Sequence, residues 1–480
     1  MKKIVAAIIL VILVFVGLIL FNTFSARPWP SVKAGPLPPL PDSALSHFSQ
    51  AIRIATISPQ ETTSIDSVTF NAYRTFLEGA YPLVHKQMTR NILASYSYVY
   101  TWKGTDTSLQ PIILMAHYDV VPVEPSAVKL WTAKPFGGEI KNDSIYGRGA
   151  ADDKGSMISI MESAESLLKT GFTPRRTIML CFGHNEESTG DGAKAVVAWL
   201  QQQKIRAEMV IDEGGELTFE KVKDVSRPIA MIGVGEKGYA TFELSVEKTG
   251  GHSSRPDRET AIDILAKALV EMRQKNTPRR ILPVTREFLE RASGSSNSFF
   301  KKMAINNLWL FEGLVIYQMA EDKDGLAMIS TTIVPTILES GVRENVIPSN
   351  AKAIVNSRIL PGETAKDVAE FIHRTIGDDR VKIKYTGDFT TDPSPTTDVR
   401  SPAFANVANA ATAIADDVIP VPYIMLGATD SRNFRAISDG VVNFCPFTDP
   451  KGFHGIDERI GVKDLQRAIA FYTIIMKDAH

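Results

Sequence analysis

The sequence predicts an α/β fold in which a catalytic domain has a mainly parallel sheet covered by helices on both faces. Two observations predict it. In the first half of the chain, short apolar runs alternate with amphipathic helical patterns, as is typical of parallel strands joined by helices. From about residue 237 the order changes to β-α-β-β-α-β, and further strand and helix patterns follow this unit. We therefore expect an inserted lid and dimerisation domain at 237–390 and a catalytic domain composed of 45–236 and 391–480.

The individual elements follow from hydrophobic periodicity. The catalytic domain is predicted to contain strand 112–116, helix 157–168, strand 177–182, helix 193–200 and strand 209–212. The lid domain is predicted to contain strand 239–246, helix 261–272, strands 327–336 and 351–359, helix 364–376 and strand 381–385. Strands 418–426 and 440–444 and a helix over 465–476 then return to the catalytic domain.

The N-terminus predicts a transmembrane helix. Lys2 and Lys3 precede an uninterrupted apolar run from Ile4 to Phe21, which is long enough to span a bilayer. We interpret residues 1–26 as an uncleaved anchor, with a signal segment cleaved near Ala26 and a secreted product as the alternative. In either case the lysines stay in the cytoplasm, so the catalytic region is periplasmic or extracellular.

Two further segments differ from an ordinary domain. Residues 27–44 are rich in proline and predict a stiff, extended stalk. An insertion at 276–325, inside the lid domain, contains the apolar sequence LWLFEGLVIY. This insertion is interpreted either as local packing or as the lining of a site for an apolar substrate.

Composition excludes several classes of protein. The chain has 480 residues, 44% of them hydrophobic, and its 53 Lys and Arg against 54 Asp and Glu give a net charge of −1. This is a globular composition, and it lacks the excess of basic residues that a nucleic-acid-binding protein needs. Cys181 and Cys445 lie in apolar runs and are predicted to be buried thiols.

Five short motifs near the predicted strand ends carry histidines and carboxylates. They are AHYDV, GRGAADDKGS, GHNEES, IDEGG and GFHGIDE. Each motif alone has a structural explanation, such as a buried histidine, an acidic helix N-terminus or a solvated pair of glutamates. Because the carboxyl ends of parallel strands meet at one edge of a sheet, their co-occurrence favours a metal pocket. Adjacent Glu186 and Glu187 suit a site in which one carboxylate binds a cation and the other transfers a proton.

With these motifs and GHSSRP, the chain from about Ser46 onwards resembles the co-catalytic di-zinc metallopeptidases, which include glutamate carboxypeptidase, aminoacylase and carboxypeptidase S. It is most similar to the carboxypeptidase S branch, which contains the N-fatty-acyl-amino-acid synthase/hydrolase. The resemblance implies two zinc ions, with cobalt or manganese as alternatives. His117 and Glu213 would bind one ion, Glu187 and His454 the other, and Asp152 both, with Asp212 as the alternative to Glu213.

The resemblance also implies the roles of further residues. Asp119 would orient His117, and Glu186 would be the general base toward a water shared by the two zinc ions. His252 would stabilise the oxyanion, often across a homodimer interface in this family, and Asn345 and Arg358 would bind the substrate. A capping-loop role for His252 and a surface ion pair for Arg358 are the structural alternatives.

The predicted function is hydrolysis of the amide bond of an N-acyl amino acid or of the C-terminal residue of a short peptide. The small-molecule substrate would carry a free carboxylate, which suits the planar guanidinium of Arg358. Acyl-chain length and the direction of the reaction, hydrolysis or synthesis, stay open. The alternatives are a catalytically inactive envelope protein that binds peptides and a mononuclear zinc carboxypeptidase.

Overall fold

A nine-stranded sheet and a four-stranded sheet organise the computed structural model, which describes residues 2–58, 65–386 and 390–478. The helices are α1 Lys2–Ser25, α2 Ala44–Arg53, α3 Ser67–Ala80, α4 Pro82–Gln87, α5 Lys154–Lys169, α6 Asp191–Gln202, α7 Ala261–Gln274, α8 Pro283–Ser293, α9 Phe299–Asn306, α10 Leu308–Ala320, α11 Lys323–Ile329, α12 Ala365–Ile376, α13 Pro402–Ile414, α14 Ser431–Phe434 and α15 Val462–Lys477. The strands are β1 Thr89–Leu93, β2 Ser97–Trp102, β3 Ile112–His117, β4 Glu139–Lys141, β5 Ser144–Tyr146, β6 Ile178–Gly183, β7 Met209–Asp212, β8 Glu216–Thr218, β9 Ile229–Glu236, β10 Gly238–Glu247, β11 Gly251–His252, β12 Thr332–Ser340, β13 Val346–Ile347, β14 Asn350–Ile359, β15 Lys382–Tyr385, β16 Ile419–Met425, β17 Val441–Asn443 and β18 Arg459–Gly461.

The large sheet is mixed, so the prediction of a mainly parallel sheet is confirmed only in part; β9 and β16 also form a parallel pair. Its order is β1-β2-β6-β3-β7-β17-β9-β16, with β8 paired to β9. The four central strands β6, β3, β7 and β17 are parallel to their neighbours in this group. The strands β1, β2 and β8 form antiparallel pairs, and β9 is antiparallel to β17. The parallel group is the part that the alternating pattern predicted.

Helices cover both faces of this sheet, as predicted. Alternate residues of β3 point to opposite faces, because side chains in a strand alternate. Leu114 packs in a core that includes α5, α13 and α15, whereas Ile113 packs in a second core that includes α6 and α14. All six residues of β3 are buried. Cys181 and Cys445 are buried free thiols, also as predicted.

The second sheet has the order β12-β14-β10-β15, and all its pairs are antiparallel. Helices α7 and α12 pack on it and form a separate core. The predicted β-α-β-β-α-β order is therefore present, with one correction. The predicted strand 327–336 begins in α11, because the Asp322 side chain accepts a hydrogen bond from the backbone of Asp324 and starts a helix there. The strand itself begins at Thr332.

The segment 26–41 contains no helix or strand, and its backbone is bound to the protein body. The Arg227 guanidinium donates to the carbonyl oxygens of Trp29 and Pro30, at 2.6 and 3.0 Å. The backbone N–H of Asp417 donates to the carbonyl of Val32, and the ring of Trp29 stacks on the guanidinium of Arg291. The segment therefore lies on the body instead of holding the body away from α1, which corrects the prediction of a stalk.

We predict that Arg227→Ala loosens this segment. Loss of its hydrogen bonds should lower the free energy of local opening by about 1–2 kcal/mol, so tryptic cleavage after Lys33 should accelerate roughly tenfold. Limited proteolysis followed by mass spectrometry measures this rate. Arg400→Ala, which removes an exposed ion pair with Asp398, is the matched control and should leave the rate unchanged. Equal cleavage rates in both variants would show that Arg227 does not hold the segment on the body.

Candidate active site

Three neighbouring parallel strands end at one edge of the large sheet and deliver most of the acidic motifs. His117 is the last residue of β3, and Asp212 is the last residue of β7. The loop after β6 carries Glu186 and Glu187. Since β6, β3 and β7 are parallel, these residues meet at the same edge, as the sequence predicted.

Asp119 supports both His117 and the glutamate loop. The Nδ1 of His117 lies 3.0 Å from the backbone carbonyl of Asp119 and 3.4 Å from its carboxylate. In the tautomer whose Nδ1 proton faces Asp119, the Nε2 atom would be the one that binds a metal. The carboxylate of Asp119, fully buried, also accepts the backbone N–H groups of Glu186 and Glu187 at 3.2 and 3.1 Å. The position of Asp119 beside His117 agrees with the predicted orienting role, and the contact with the glutamate loop was not predicted.

Asp152 lies between the two histidines. Its Oδ1 is 2.9 Å from Nε2 of His117, and its Oδ2 is 3.2 Å from Nε2 of His454. The same His454 nitrogen is 3.1 Å from the carboxylate of Glu187. This placement is what a carboxylate bridging two cations requires, with one histidine on each side.

Glu213 and Asp212, the two candidates for the ligand beside His117, contact different groups. An oxygen of Glu213 lies 3.4 Å from Nε2 of His117. Asp212 instead accepts hydrogen bonds from the Thr429 hydroxyl and the Ser431 backbone, at 3.0 and 2.9 Å. The geometry therefore favours Glu213 over Asp212 as the ligand beside His117.

The donor set fits a cation site. His117, Asp152 and Glu187 offer ligand atoms within 4.8 Å of one another, and so do His117, Glu186 and Glu213. Burial raises the pKa of Glu186 well above its usual range. The positive charge of His117 opposes this shift, and the negative charge of Glu213 adds to it. Burial opposes ionisation of Asp152, but hydrogen bonds from His117 and His454 outweigh it and lower its pKa. A cluster of carboxylates and imidazoles of this kind is stabilised when it binds divalent cations.

A buried ion pair that sequence reasoning missed fixes the Asp152 loop. The Arg148 guanidinium donates to Glu458 at 2.7 Å, and both side chains are at most 3% exposed. The Glu458 carboxylate also accepts the backbone N–H groups of Gly149, Ala151 and Asp152 at 3.0, 2.9 and 3.2 Å. Glu458 stands four residues after His454, so it also joins the His454 loop to the Asp152 loop. The last letter of the GFHGIDE motif is the only sequence signal of this role.

His252 and Asn345 lie side by side in the second sheet domain and are exposed. His252 pairs with Val346 between β11 and β13, and the carbonyl of Asn345 accepts the N–H of Ser253. Among the described residues, neither side chain is hydrogen-bonded to the histidines and carboxylates at the sheet edge. The Nδ1 of His252 accepts from the backbone of Ser254 at 3.1 Å, a local contact.

Arg358 is a half-buried cation with no carboxylate within salt-bridge distance in the described part of the chain. Its guanidinium lies 4.8 Å from the centre of the Tyr239 ring. Burial lowers the pKa of Arg358, and the positive charge of Arg432 lowers it further. The neighbouring Tyr239 acts in the opposite direction. Arg358 comes from the four-stranded sheet and Arg432 from α14 beside the large sheet, so positive charges from both domains act on the same region. Such a pair suits an anionic group of a ligand.

We predict that Glu458→Gln destabilises the protein and weakens metal binding. The variant leaves Arg148 buried without its counter-charge, which should cost about 3–5 kcal/mol and loosen the Asp152 loop. Thermal unfolding and metal titration monitor the two effects. The control is Glu339→Gln, which removes an exposed pair with Lys352 and should change stability by less than about 1 kcal/mol. A Glu458→Gln protein with wild-type stability and metal affinity would show that the pair does not hold the loop.

The chain is similar to known proteins in both sequence and fold. The family model described as Peptidase family M20/M25/M40 matches residues 113–478. The chain is 37% identical over 440 residues to carboxypeptidase S-like 2 of Dictyostelium discoideum, covering 90% of this chain and 84% of that protein. It is 32% identical over 452 residues to the human N-fatty-acyl-amino acid synthase/hydrolase PM20D1, covering 90% and 89%. A solved M20 family metallo-carboxypeptidase from Sulfolobus solfataricus superposes with a TM-score of 0.67 at 20% identity, covering 91% of this chain and 99% of that one. The resemblance read from the motifs is confirmed: the chain belongs to the peptidase family M20/M25/M40.

Proposed function

We propose that the protein is a membrane-anchored, extracytoplasmic di-zinc hydrolase that cleaves the amide bond between an acyl or peptidyl group and an amino acid with a free carboxylate. The observation that carries the proposal is the position of Asp152 between His117 and His454, with Glu213 and Glu187 beside them. This arrangement supports two neighbouring cation sites that share one carboxylate. One ion would be held by His117, Asp152 and Glu213, and the other by Asp152, Glu187 and His454.

The chemistry divides between the cations and the side chains. When bound, two zinc ions would acidify a water molecule and polarise the scissile carbonyl. Glu186 accepts the proton of the attacking water on its carboxylate and donates it to the leaving amine nitrogen. A carboxylate that both accepts and donates needs a raised pKa, and burial gives Glu186 that shift. The hydrogen bond from its backbone to Asp119 holds it beside the ligands.

Recognition of the free carboxylate is assigned to Arg358, with Arg432 beside it. A half-buried guanidinium without a carboxylate partner in the described residues gains more from an anionic ligand than a solvated one does. Arg432 lies on α14, and its positive charge acts on Arg358. The two charges together would favour an anionic group of the substrate.

The substrate is either an N-acyl amino acid or a short peptide. Both classes are represented by the relatives, one named an N-fatty-acyl-amino acid synthase/hydrolase and the other carboxypeptidase S-like. The membrane anchor is assigned to α1, the one described helix long and apolar enough to cross a bilayer. A homodimer is proposed through the four-stranded sheet, because the edge strand β12 exposes Val334, Ile337 and Leu338. In that dimer His252 would act on the partner's site.

Two alternatives predict different measurements. A binding protein without catalysis would bind zinc and substrate and turn over none of it. A mononuclear enzyme would hold one zinc per chain, whereas the shared Asp152 supports two. Zinc content and turnover of the same sample therefore separate the three possibilities.

We predict that Glu186→Ala abolishes turnover and leaves zinc content unchanged. Removal of the proton carrier should lower kcat by about two to four orders of magnitude. The five proposed ligands stay in place, so elemental analysis should give two zinc ions per chain in both proteins. Glu78→Ala, which removes a surface pair with Arg90, is the control and should keep full activity. Activity retained in Glu186→Ala would remove this residue from the mechanism.

The substrate class is tested with one panel of long-chain N-acyl amino acids, short N-acyl amino acids and dipeptides, each with zinc added to the full chain in detergent. We expect hydrolysis of at least one class. A preference for long acyl chains would place the protein with the fatty-acyl hydrolases, and a preference for dipeptides would make it a carboxypeptidase. Zinc-loaded protein that is silent on the whole panel would contradict the proposed hydrolase.

We predict that Arg358→Met raises KM for substrates with a free carboxylate. A lost charge-assisted hydrogen bond costs about 1.5–3 kcal/mol, which corresponds to a rise in KM of roughly ten- to hundredfold. The matching substrate whose carboxylate is replaced by an amide should show little change. Arg206→Met, at an exposed pair with Asp439, is the control variant. An equal loss on both substrates would indicate a structural role for Arg358.

A further inference from the structure

Helices α9 and α10 lie along the outer part of α1. The rings of Phe24 and Phe299 are 6.0 Å apart, and those of Phe15 and Trp309 are 5.5 Å apart. Phe15 and Phe24 are separated by about 13 Å along α1, because each helical residue rises 1.5 Å. Contact with α1 therefore extends over several turns, from the start of α9 to the start of α10.

A buried asparagine joins the two elements between these aromatic pairs. The Asn307 amide, between α9 and α10, lies 3.2 Å from both the Ile19 carbonyl and the Thr23 hydroxyl and donates to them. Its oxygen accepts from the Asn22 side chain at 3.0 Å. Thr23 and Asn307 are fully buried. Cleavage near Ala26 would remove these three partners and leave the amide with its hydrogen bond to the Met303 carbonyl alone, so the contact requires that α1 stay attached.

Much of the remaining α9–α10 surface is apolar and exposed. Helix α10 is predominantly apolar, with Glu312 and Gln318 as its two polar side chains, a composition found in helices surrounded by protein or by lipid. Its exposed side chains, and those at the start of α9, are large: Phe299, Phe300, Trp309, Leu310, Leu314 and Tyr317. This surface is continuous with the exposed apolar surface of α1 through the Phe15–Trp309 and Phe24–Phe299 contacts. The medium that surrounds α1 therefore also contacts the exposed side chains of α9 and α10.

The contacts with α1 give the depth of helices α9 and α10 relative to a bilayer. This step rests on the proposed anchor, in which the lysine end of α1 is cytoplasmic and Phe21 is the outer end of the apolar run. Phe15 then lies about 9 Å inside that end, and half of a hydrocarbon core is about 15 Å thick. Trp309 is at the level of Phe15, and Phe299 is near the level of the membrane surface.

We propose that α9 and α10 insert into the outer leaflet beside α1, as a wedge of lipid-exposed apolar side chains. The partner of this surface is the bilayer. The 276–325 insertion is then neither simple packing nor the lining of a pocket, and it seats the catalytic body directly on the membrane. The extended segment 26–41, bound to the body by Arg227, leaves no spacer between them.

The test places one environment-sensitive fluorophore on the full chain in lipid nanodiscs. Cysteine is introduced separately at Phe300, Leu310, Val11 and Ile92, and the two native cysteines are buried. Val11 is exposed on α1 and reports whether the anchor is in the bilayer. Ile92 is exposed on β1, at the opposite edge of the large sheet from β16, which packs against α8. Lipids carrying a spin label either near the headgroup or midway along the chain serve as quenchers.

We expect the label at 310 to lose most of its fluorescence to the chain-labelled lipid and the label at 300 to the headgroup-labelled lipid. The label at 92 should keep its fluorescence with both. Quenching at 11 without quenching at 300 and 310 would overturn the wedge and leave the anchor intact. Unquenched label at 11 would overturn the anchored orientation and the wedge together. None of these outcomes affects the hydrolytic assay, so the proposed reaction is tested separately.

Discussion

Mutual repulsion among carboxylates at one edge of the large sheet is the constraint on which the rest of the site depends. Parallel strands β6, β3 and β7 bring Glu186, Glu187 and Glu213 to the same place as Asp152. Burial raises the free energy of their charged forms, and their closeness raises it further. Histidines on either side of Asp152 offset part of this cost, and divalent cations would offset the rest. The order of the parallel strands therefore creates a binding site for positive charge.

Carboxylates that are not proposed as ligands hold the loops that carry the ligands. Asp119 accepts two backbone N–H groups from the Glu186–Glu187 loop, and Glu458 accepts three from the loop that contains Asp152. Hydrogen bonds to an ionised acceptor are stronger than those between neutral groups, so each of these acids fixes several backbone positions at once. Hydrogen bonds to these two carboxylates therefore fix the backbone of the loops that carry the proposed ligands. The loops do not depend on a bound metal for these contacts.

The sequence was most informative where a pattern is local. The strand 209–212 is observed with its predicted bounds, and β14 differs from its prediction by one residue, because continuous or alternating apolar residues determine both strands. Hydrophobic periodicity carries no information on whether neighbours run parallel, so the mixed character of the large sheet was missed. The Arg148–Glu458 pair joins residues 310 positions apart, and no local spacing could indicate it. Short motifs placed most of the metal-ligand candidates at one edge, because three of the motifs lie at the ends of the parallel strands β3, β6 and β7. The positions of His252 and Asn345 depend instead on how the second sheet domain sits over the first.

The insertion connects the proposed membrane wedge to the substrate side of the site. Helix α11 follows α10, and the buried ammonium group of Lys237 donates to the carbonyls of Ala327 and Ser330 at its end, at 2.9 and 2.8 Å. Lys237 immediately precedes β10, whose Tyr239 lies against Arg358. A long-chain N-acyl amino acid partitions into a bilayer with its carboxylate at the surface, since each buried methylene contributes about 0.8 kcal/mol. An enzyme seated on the same surface meets such a substrate at high local concentration, and the Lys237 contact ties the element that seats it to the arginine proposed to bind the carboxylate.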